Sequence, residues 1–291
     1  LYFIETVLNG LMAGVMYSLV ALGFVLIFKA SGIFNFAQGV MALFAALTLV
    51  GLQTGQVPFS HLINAMFGTN IHHWGGGLPD ILAVIGTMLV MIALAFLVQK
   101  FVLKHLVNQE PIILFMATIG LAFFLEGLGD LMWGSDVKVL DVGVPSGASF
   151  WWEDVTREWA ADGSDYYGMY IDKLDVVAAI VAIVLVAALT LFSQYTKMGR
   201  ALRAVADDHQ AALSVGISLH TIWVIVWSVA GIVALVAGIM WGSKSGVQFS
   251  LSLIALKALP VLILGGFTSV PGAIIGGMII GVGEKVAEVY L

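Results

Sequence analysis

Thr196–Leu219 reads TKMGRALRAVADDHQAALSVGISL and separates two long hydrophobic blocks, Leu174–Phe192 and His220–Trp241. It gathers six ionisable side chains, Lys197, Arg200, Arg203, Asp207, Asp208 and His209, in a chain that is 60% hydrophobic and only 10% charged. A soluble domain carries about a quarter of its residues as charges, so this is the composition of an integral membrane protein. Spans of about 20 apolar residues cover the ~30 Å hydrocarbon core, and a chain of this length holds roughly seven to eight of them. Within the island, Asp207 or Asp208 suits an N-cap, Gln210 stands three residues after Asp207 as in a capping box, and Gly216 supplies a stop. The pattern predicts a short helix over Asp208–Val215. The basic residues assign the island to the cytoplasmic side. On spacing alone it is either a helix presented to a partner or an ordinary basic loop.

The same composition excludes several classes. Apolar runs are continuous and do not alternate, which rules out a β-barrel. There is no cysteine, hence no disulfide framework and no thiol chemistry. The net charge of −6 offers nothing for nucleic acid to bind. His72 and His73 are adjacent, but no third ligand stands at a useful spacing, and no metal site is expected. The expected fold is therefore an all-α polytopic helical bundle, one transmembrane domain over residues 1–291.

Counting spans outward from the island tests the topology. Leu174–Phe192 puts the preceding loop, 134–173, outside; that loop carries seven acidic residues from Asp141 to Asp172 against Arg157 and Lys173. Ile112–Trp133 then returns Lys100–Glu110 to the inside, Ile81–Val98 puts Gln53–Leu78 outside as a polar loop, and Lys29 falls inside with the amino terminus outside. Both basic connections land on the cytoplasmic side, as the charge rule requires. In the acidic loop, Trp151, Trp152, Val155 and Trp159 fall on one helical face, and a helix lying in the membrane interface is expected there. It covers the mouth of the protein, offers a docking surface to an external partner, or does both.

Two hydrophobic stretches are interrupted. After the span Leu8–Phe28, Ser31-Gly32-Ile33-Phe34-Asn35-Phe36-Ala37-Gln38-Gly39 precedes Val40–Leu52, which is too short to cross alone. Near the end, Leu251–Gly266 and Gly272–Leu291 are separated by Phe267-Thr268-Ser269-Val270-Pro271. Irregular backbone at membrane depth is tolerated only where protein buries it or it lines a cavity. Paired interruptions in the two halves of a chain point to a transport path, which makes Ser31, Asn35 and Gln38 candidates for it; a surface turn is the other reading. The pairs Gly10/Gly14, Gly272/Gly276 and Gly277/Gly281 fit close helix packing. Glu126 and Asp130 share a helix face near a span's end, where water reaches them. Lys257 stands alone among apolar neighbours and is expected to snorkel or to pair with a carboxylate such as Glu126.

These residues also carry a resemblance. Val15–Phe24 and Ser31–Gly39 resemble the amino-terminal signature of the branched-chain amino-acid ABC importer permeases, and the likeness recurs at Thr118–Leu121, Gly199–Asp208, Leu256-Lys257-Ala258, Gly265-Gly266 and Gly272–Gly277. It spans nearly the whole chain in the family's order and is nearest to the first of two homologous permease subunits. The resemblance implies a non-catalytic permease of the bacterial inner membrane that contacts lipid and binds no cofactor itself. A homologous second permease would complete the pore, two cytoplasmic ATPases would bind ATP and Mg, and a periplasmic binding protein would deliver substrate. It adds Phe36 and Thr118 to the path residues and makes 196–219 a coupling segment, with Arg200, Arg203, Asp207, Asp208 and His209 facing the ATPase. Trp151, Trp152 and Trp159 become candidates for docking the binding protein. Gln38 stands where the family usually has His, and the 134–173 loop is longer and richer in tryptophan than is usual. The chain begins without methionine, and the family continues past a point like Leu291, so residues are expected to be missing at both ends. Within the family, urea and short amides are alternative substrates. A different class, an ion-coupled transporter or channel, would use Glu126, Asp130 and Lys257. An intramembrane enzyme finds no His-Glu-x-x-His motif and no serine with an adjacent base.

Overall fold

The computed structural model describes residues 2–106, 109–151 and 169–291. The helices are α1 (Tyr2–Ser31), α2 (Gln38–Thr54), α3 (Ser60–Phe67), α4 (Asp80–Phe101), α5 (Pro111–Trp133), α6 (Lys173–Tyr195), α7 (Lys197–Asp207), α8 (His209–Ser214), α9 (Leu219–Ser245), α10 (Ile254–Gly265) and α11 (Val270–Tyr290). Strands β1 (Ala148–Trp151) and β2 (Met169–Asp172) form an antiparallel pair between α5 and α6. Six of the described helices, α1, α4, α5, α6, α9 and α11, are long and apolar enough to cross a membrane. Two shorter apolar helical stretches, Gln38–Thr54 and Phe249–Gly265, are those beside the two interruptions. The protein is a multi-pass membrane protein.

The bundle is built around α1. Met16, Leu19, Ala21, Leu22 and Val25 are wholly buried in it, because α11, α9, α10 and α6 all pack on it. Its closest approach is to the antiparallel α11. A methyl group at Gly14 would overlap the Gly277 carbonyl, one at Gly281 would overlap the Gly10 carbonyl, and one at Gly277 would strike Ser18 and Gly14. Glycine at these positions lets two backbones touch where lipid supplies no hydrophobic drive for association. Ser18 Oγ adds a hydrogen bond to the Ala273 carbonyl at 3.0 Å. Glycine pairing continues into the next turn of chain, where Gly272 and Gly276 pack on Gly265. By contrast, α4, α5 and α6 turn large apolar side chains outward, among them Leu89, Phe123, Phe124, Ile180 and Ile183.

At the end of the bundle away from Lys29, polar ties join elements distant in sequence. Gln53 Nε2 donates to Asp80 Oδ1 at 2.8 Å and to the Asp141 carbonyl at 3.0 Å. Gln56 Nε2 donates to the Trp133 carbonyl, while its Oε1 accepts from Lys138 Nζ at 2.6 Å. Lys138 also exchanges both backbone hydrogen bonds with Val247, and burial pushes its ammonium below the usual lysine range, with Asp136 acting in the opposite direction. Asn9 donates to the Tyr170 carbonyl, the Tyr170 amide donates to Glu5, and Lys244 pairs with Asp175.

Two expectations are corrected. Gln53–Leu78 is not simply a loop, since it contains α3, entered through Phe59 at φ 60° and tied by the Phe59 amide to the Met132 carbonyl. Trp151 lies in a strand and not on an interfacial helix, because its backbone pairs with that of Met169. Trp152 and Trp159 lie outside the described residues.

The glycine seam is testable. Gly14→Val or Gly277→Val forces α1 and α11 apart and should destabilise the protein by at least about 2 kcal/mol, whereas Gly120→Ala, which meets nothing within 4 Å, should be tolerated. Thermal unfolding in detergent measures this; equal midpoints for all three variants would remove the seam as a determinant.

Candidate functional site

The first interruption is an extended segment that folds back into the bundle. The chain leaves α1 at Gly32 (φ 67°), and α2 begins at Gln38, a wholly buried residue lying against Gly23 of α1. The backbone groups of this segment leave the helical ladder, and side chains together with one backbone turn bond supply their partners. Asn35 Oδ1 accepts from the Ala37 amide at 3.1 Å, and the Asn35 carbonyl accepts from Gln38 N at 3.2 Å. Thr118 Oγ1 of α5 accepts from the Phe36 amide at 3.1 Å and lies 3.2 Å from the Phe34 carbonyl and 2.8 Å from that of Phe115. Gln38 Nε2 donates to the Ala230 carbonyl of α9 at 3.3 Å. The segment is thereby fastened to α5 and α9 by side-chain hydrogen bonds and fitted against α1 through Gly23.

The structure brings Asn35, Phe36, Gln38 and Thr118 together and separates Ser31 from them. Ser31 Oγ donates to the Ile27 carbonyl at 2.6 Å, closing the last turn of α1. Asn35, Gln38 and Thr118 are buried with their polar atoms engaged, while Phe36 is half-buried against Phe115. The second interruption lies beside the first. Phe267 packs on Phe28 at 5.1 Å and on Phe34 at 6.3 Å, and Phe34 stacks on Phe24 at 4.8 Å. Gly266 turns at φ 89°, and Ser269 Oγ caps α11 by accepting from the Gly272 amide at 3.0 Å. Phenylalanines thus join the two breaks that the sequence shows as separate.

A second polar cluster faces outward between α10 and α11. Lys257 Nζ contacts Glu284 Oε1 at 2.7 Å and Tyr17 Oη at 3.2 Å. Tyr17 stacks on Trp241, whose Nε1 donates to the Met16 carbonyl at 3.1 Å. The expected pairing of Lys257 with a carboxylate such as Glu126 is corrected: α10 and α11 form an antiparallel hairpin that brings Glu284 to it. Glu126 is half-buried and Asp130 exposed, and neither forms an ion pair among the described residues. Lys257 was visible in sequence as an isolated charge; Glu284 and Tyr17 carried no signal that joined them to it.

The polar island contains one more helix than its capping pattern predicts. Thr196 turns a corner, donating to the Phe192 carbonyl at 2.7 Å and capping α7 by accepting from the Gly199 amide at 2.9 Å. Gly199, Leu202 and Val205 are buried, Arg200 and Asp207 are exposed, and Arg203 is half-buried. That amphipathic spacing is the signal the sequence reading overlooked. Asp208 is the cap that starts α8, accepting from the Gln210 and Ala211 amides at 2.8 and 3.0 Å, and Gly216 ends the turn at φ 84°. His209 opens α8. Arg203 and Lys29 share a cleft of about 340 Å³ with Gln194, Ser269 and Pro271. It lies where the ends of α1 and α6 meet the start of α11.

The family described as branched-chain amino acid transport system / permease component matches residues 6–291. The high-affinity branched-chain amino acid transport system permease protein LivH of Escherichia coli K12 is 28% identical, the match covering 100% of this chain and 88% of LivH. BraD of Pseudomonas aeruginosa PAO1, described in the same terms, is 26% identical over 97% of this chain and 85% of its own. A probable LivH of Methanocaldococcus jannaschii is 28% identical over 94% of this chain and 77% of its own. No solved structure matches the chain.

Removing the Thr118 hydroxyl tests how the first break is held. Thr118→Val leaves the Phe36 amide without its acceptor and should cost about 1–3 kcal/mol, while Thr118→Ser should retain most of the stability. Equal unfolding midpoints for Val and Ser in lipid nanodiscs would show that the hydroxyl does not hold the segment.

Proposed function

Because this chain belongs to the family of branched-chain amino acid transport permeases, we propose that it is the membrane-spanning permease subunit of an ATP-driven importer of branched-chain or related hydrophobic amino acids. It works in the bacterial inner membrane and performs no hydrolysis itself. Its partners are a homologous second permease, two cytoplasmic ATPases that bind ATP and Mg, and a periplasmic binding protein. Residues 1–291 act as one permease unit, with 134–173 periplasmic and 196–219 cytoplasmic.

The observation that carries this reading is the α7–α8 corner. It is a short, charged, amphipathic pair of helices, seated by Gly199, Leu202 and Val205 and exposing Arg200 and Asp207 at the Lys29 end. Basic connections mark the cytoplasmic face, so that end meets the ATPases. Arg200, Arg203, Asp207, Asp208 and His209 form the coupling surface. A push on α7 reaches the cleft between Arg203, Lys29 and the start of α11, and through it the two phenylalanine-joined breaks. Asn35, Gln38 and Thr118 then position the Phe36 segment beside the path, with Ser31 at its cytoplasmic edge. At the opposite end, the binding protein docks on the region that includes Trp151, Trp152 and Trp159.

ATP hydrolysis by the purified, lipid-reconstituted assembly with its binding protein tests the proposal. Leucine, isoleucine or valine should stimulate hydrolysis, and Arg203→Glu or Asp208→Lys should reduce that stimulation about tenfold, equivalent to ~1.4 kcal/mol of coupling, while the binding protein still docks. Transport by the chain alone down an ion gradient, with no ATPase bound, would overturn it.

A further inference from the structure

The Lys257–Glu284 pair is placed where charges are costly. Glu284 belongs to the membrane-crossing α11, Lys257 to the short apolar α10, and the Tyr17 they meet lies near the middle of α1. Yet their side chains are 54% and 39% exposed. A charged pair so exposed within a span does not face lipid acyl chains; it faces water or another protein. Lys257 is also in the first turn of α10, where a cation opposes the helix dipole and adds to the positive potential of the helix start.

The chemistry beside the pair narrows the occupant. A shallow recess of about 550 Å³ is lined by Lys257 and Glu284 together with Pro260, Ile279, Ile280 and Gly283. Lys257 spends two of its three ammonium donors on Glu284 and Tyr17, and the Tyr17 hydroxyl also hydrogen-bonds with the Glu284 carboxylate. One ammonium donor of Lys257 thus stands free, and the Glu284 carboxylate, with about four lone-pair sites, has room for a further donor, next to an aliphatic wall. We propose that this recess binds the transported α-amino acid during its passage. Lys257 meets the α-carboxylate, Glu284 the α-ammonium, and Ile279, Ile280 and Pro260 the branched aliphatic side chain. Opposite charges held side by side favour a zwitterion over a molecule bearing either charge alone, since each single-charge ligand leaves one member of the pair facing a like or absent partner. The proposal rests on the importer reading and names the place on this chain where its substrate sits.

The chain has no cysteine, so a single engineered thiol is unique on it. Ile279, 54% exposed in the recess, is replaced as Ile279→Cys in the reconstituted transporter. Reaction with a small charged methanethiosulfonate is followed by the mass of this chain, without binding protein. Free leucine should slow labelling at least tenfold. 4-Methylpentanoate and 3-methylbutylamine, which each keep one of leucine's charges, should need at least tenfold higher concentrations to do the same. Adding Glu284→Gln should abolish the preference for leucine over 4-methylpentanoate. Labelling that is indifferent to leucine overturns the proposal. So does a thiol that reacts in the isolated chain but not in the assembly, which would make the recess a contact between subunits. ATP-driven leucine uptake by the same vesicles, with binding protein, reports separately on the importer. Uptake without protection removes the recess and keeps the importer; neither uptake nor protection removes both.

Discussion

A peptide group that leaves a helix inside a membrane has no water to turn to, and the structure depends on how that demand is met between Gly32 and Gln38. Asn35 and Thr118 provide the missing hydrogen-bond partners, one from within the segment and one from α5. Gln38 then ties the start of α2 to the Ala230 carbonyl of α9. Because these side chains belong to different elements, satisfying the backbone also fixes where α5 and α9 stand relative to α1. A surface turn would have imposed no such requirement, since solvent would have met it.

Packing answers to a second constraint. In lipid, apolar surface gains nothing by choosing a helix over an acyl chain, so close approach and hydrogen bonding decide which helices meet. Glycines line the α1–α11 and α10–α11 contacts, and Gly39 and Gly238 do the same where α2 meets Ser252 and where α9 meets Ala42. Large residues are sent to the outer faces of α4, α5 and α6, where lipid or another chain receives them.

Much of this is written locally and could be read from the sequence. Span positions follow from length and apolarity, both breaks from short polar or Gly-Pro interruptions, and the Asp208 cap and Gly216 stop from single residues. The Gly14–Gly277 contact was legible as small-residue pairs on each helix, although which helices met was not. What was lost depends on partners far away in the chain. Lys257 finds Glu284 only because α10 and α11 turn back on each other, and Trp151 joins a strand because Met169 is available to pair with it. An apolar spacing that fits a helix says nothing about that competitor. In α7 the missed information was local: Gly199, Leu202 and Val205 mark a buried stripe, obscured by the charges between them.

The two ends of the bundle differ in how they are fastened. Away from Lys29, Gln53, Gln56, Lys138, Asn9 and Lys244 cross-link α1, α2, α4, α5, α6, β2 and the segment after α9. Around Lys29, the described ends of α6, α7 and α11 show no side-chain hydrogen bond to an element distant in sequence, and a cleft stands open between them, while α5 and α9 are tied deeper in the bundle through Thr118 and Gln38. Unequal fastening gives the molecule a fulcrum. A force applied at α7 acts on the untied ends of long, stiff levers whose other ends are clamped, so small displacements at the corner spread the helices most where nothing holds them and least where the tethers lie.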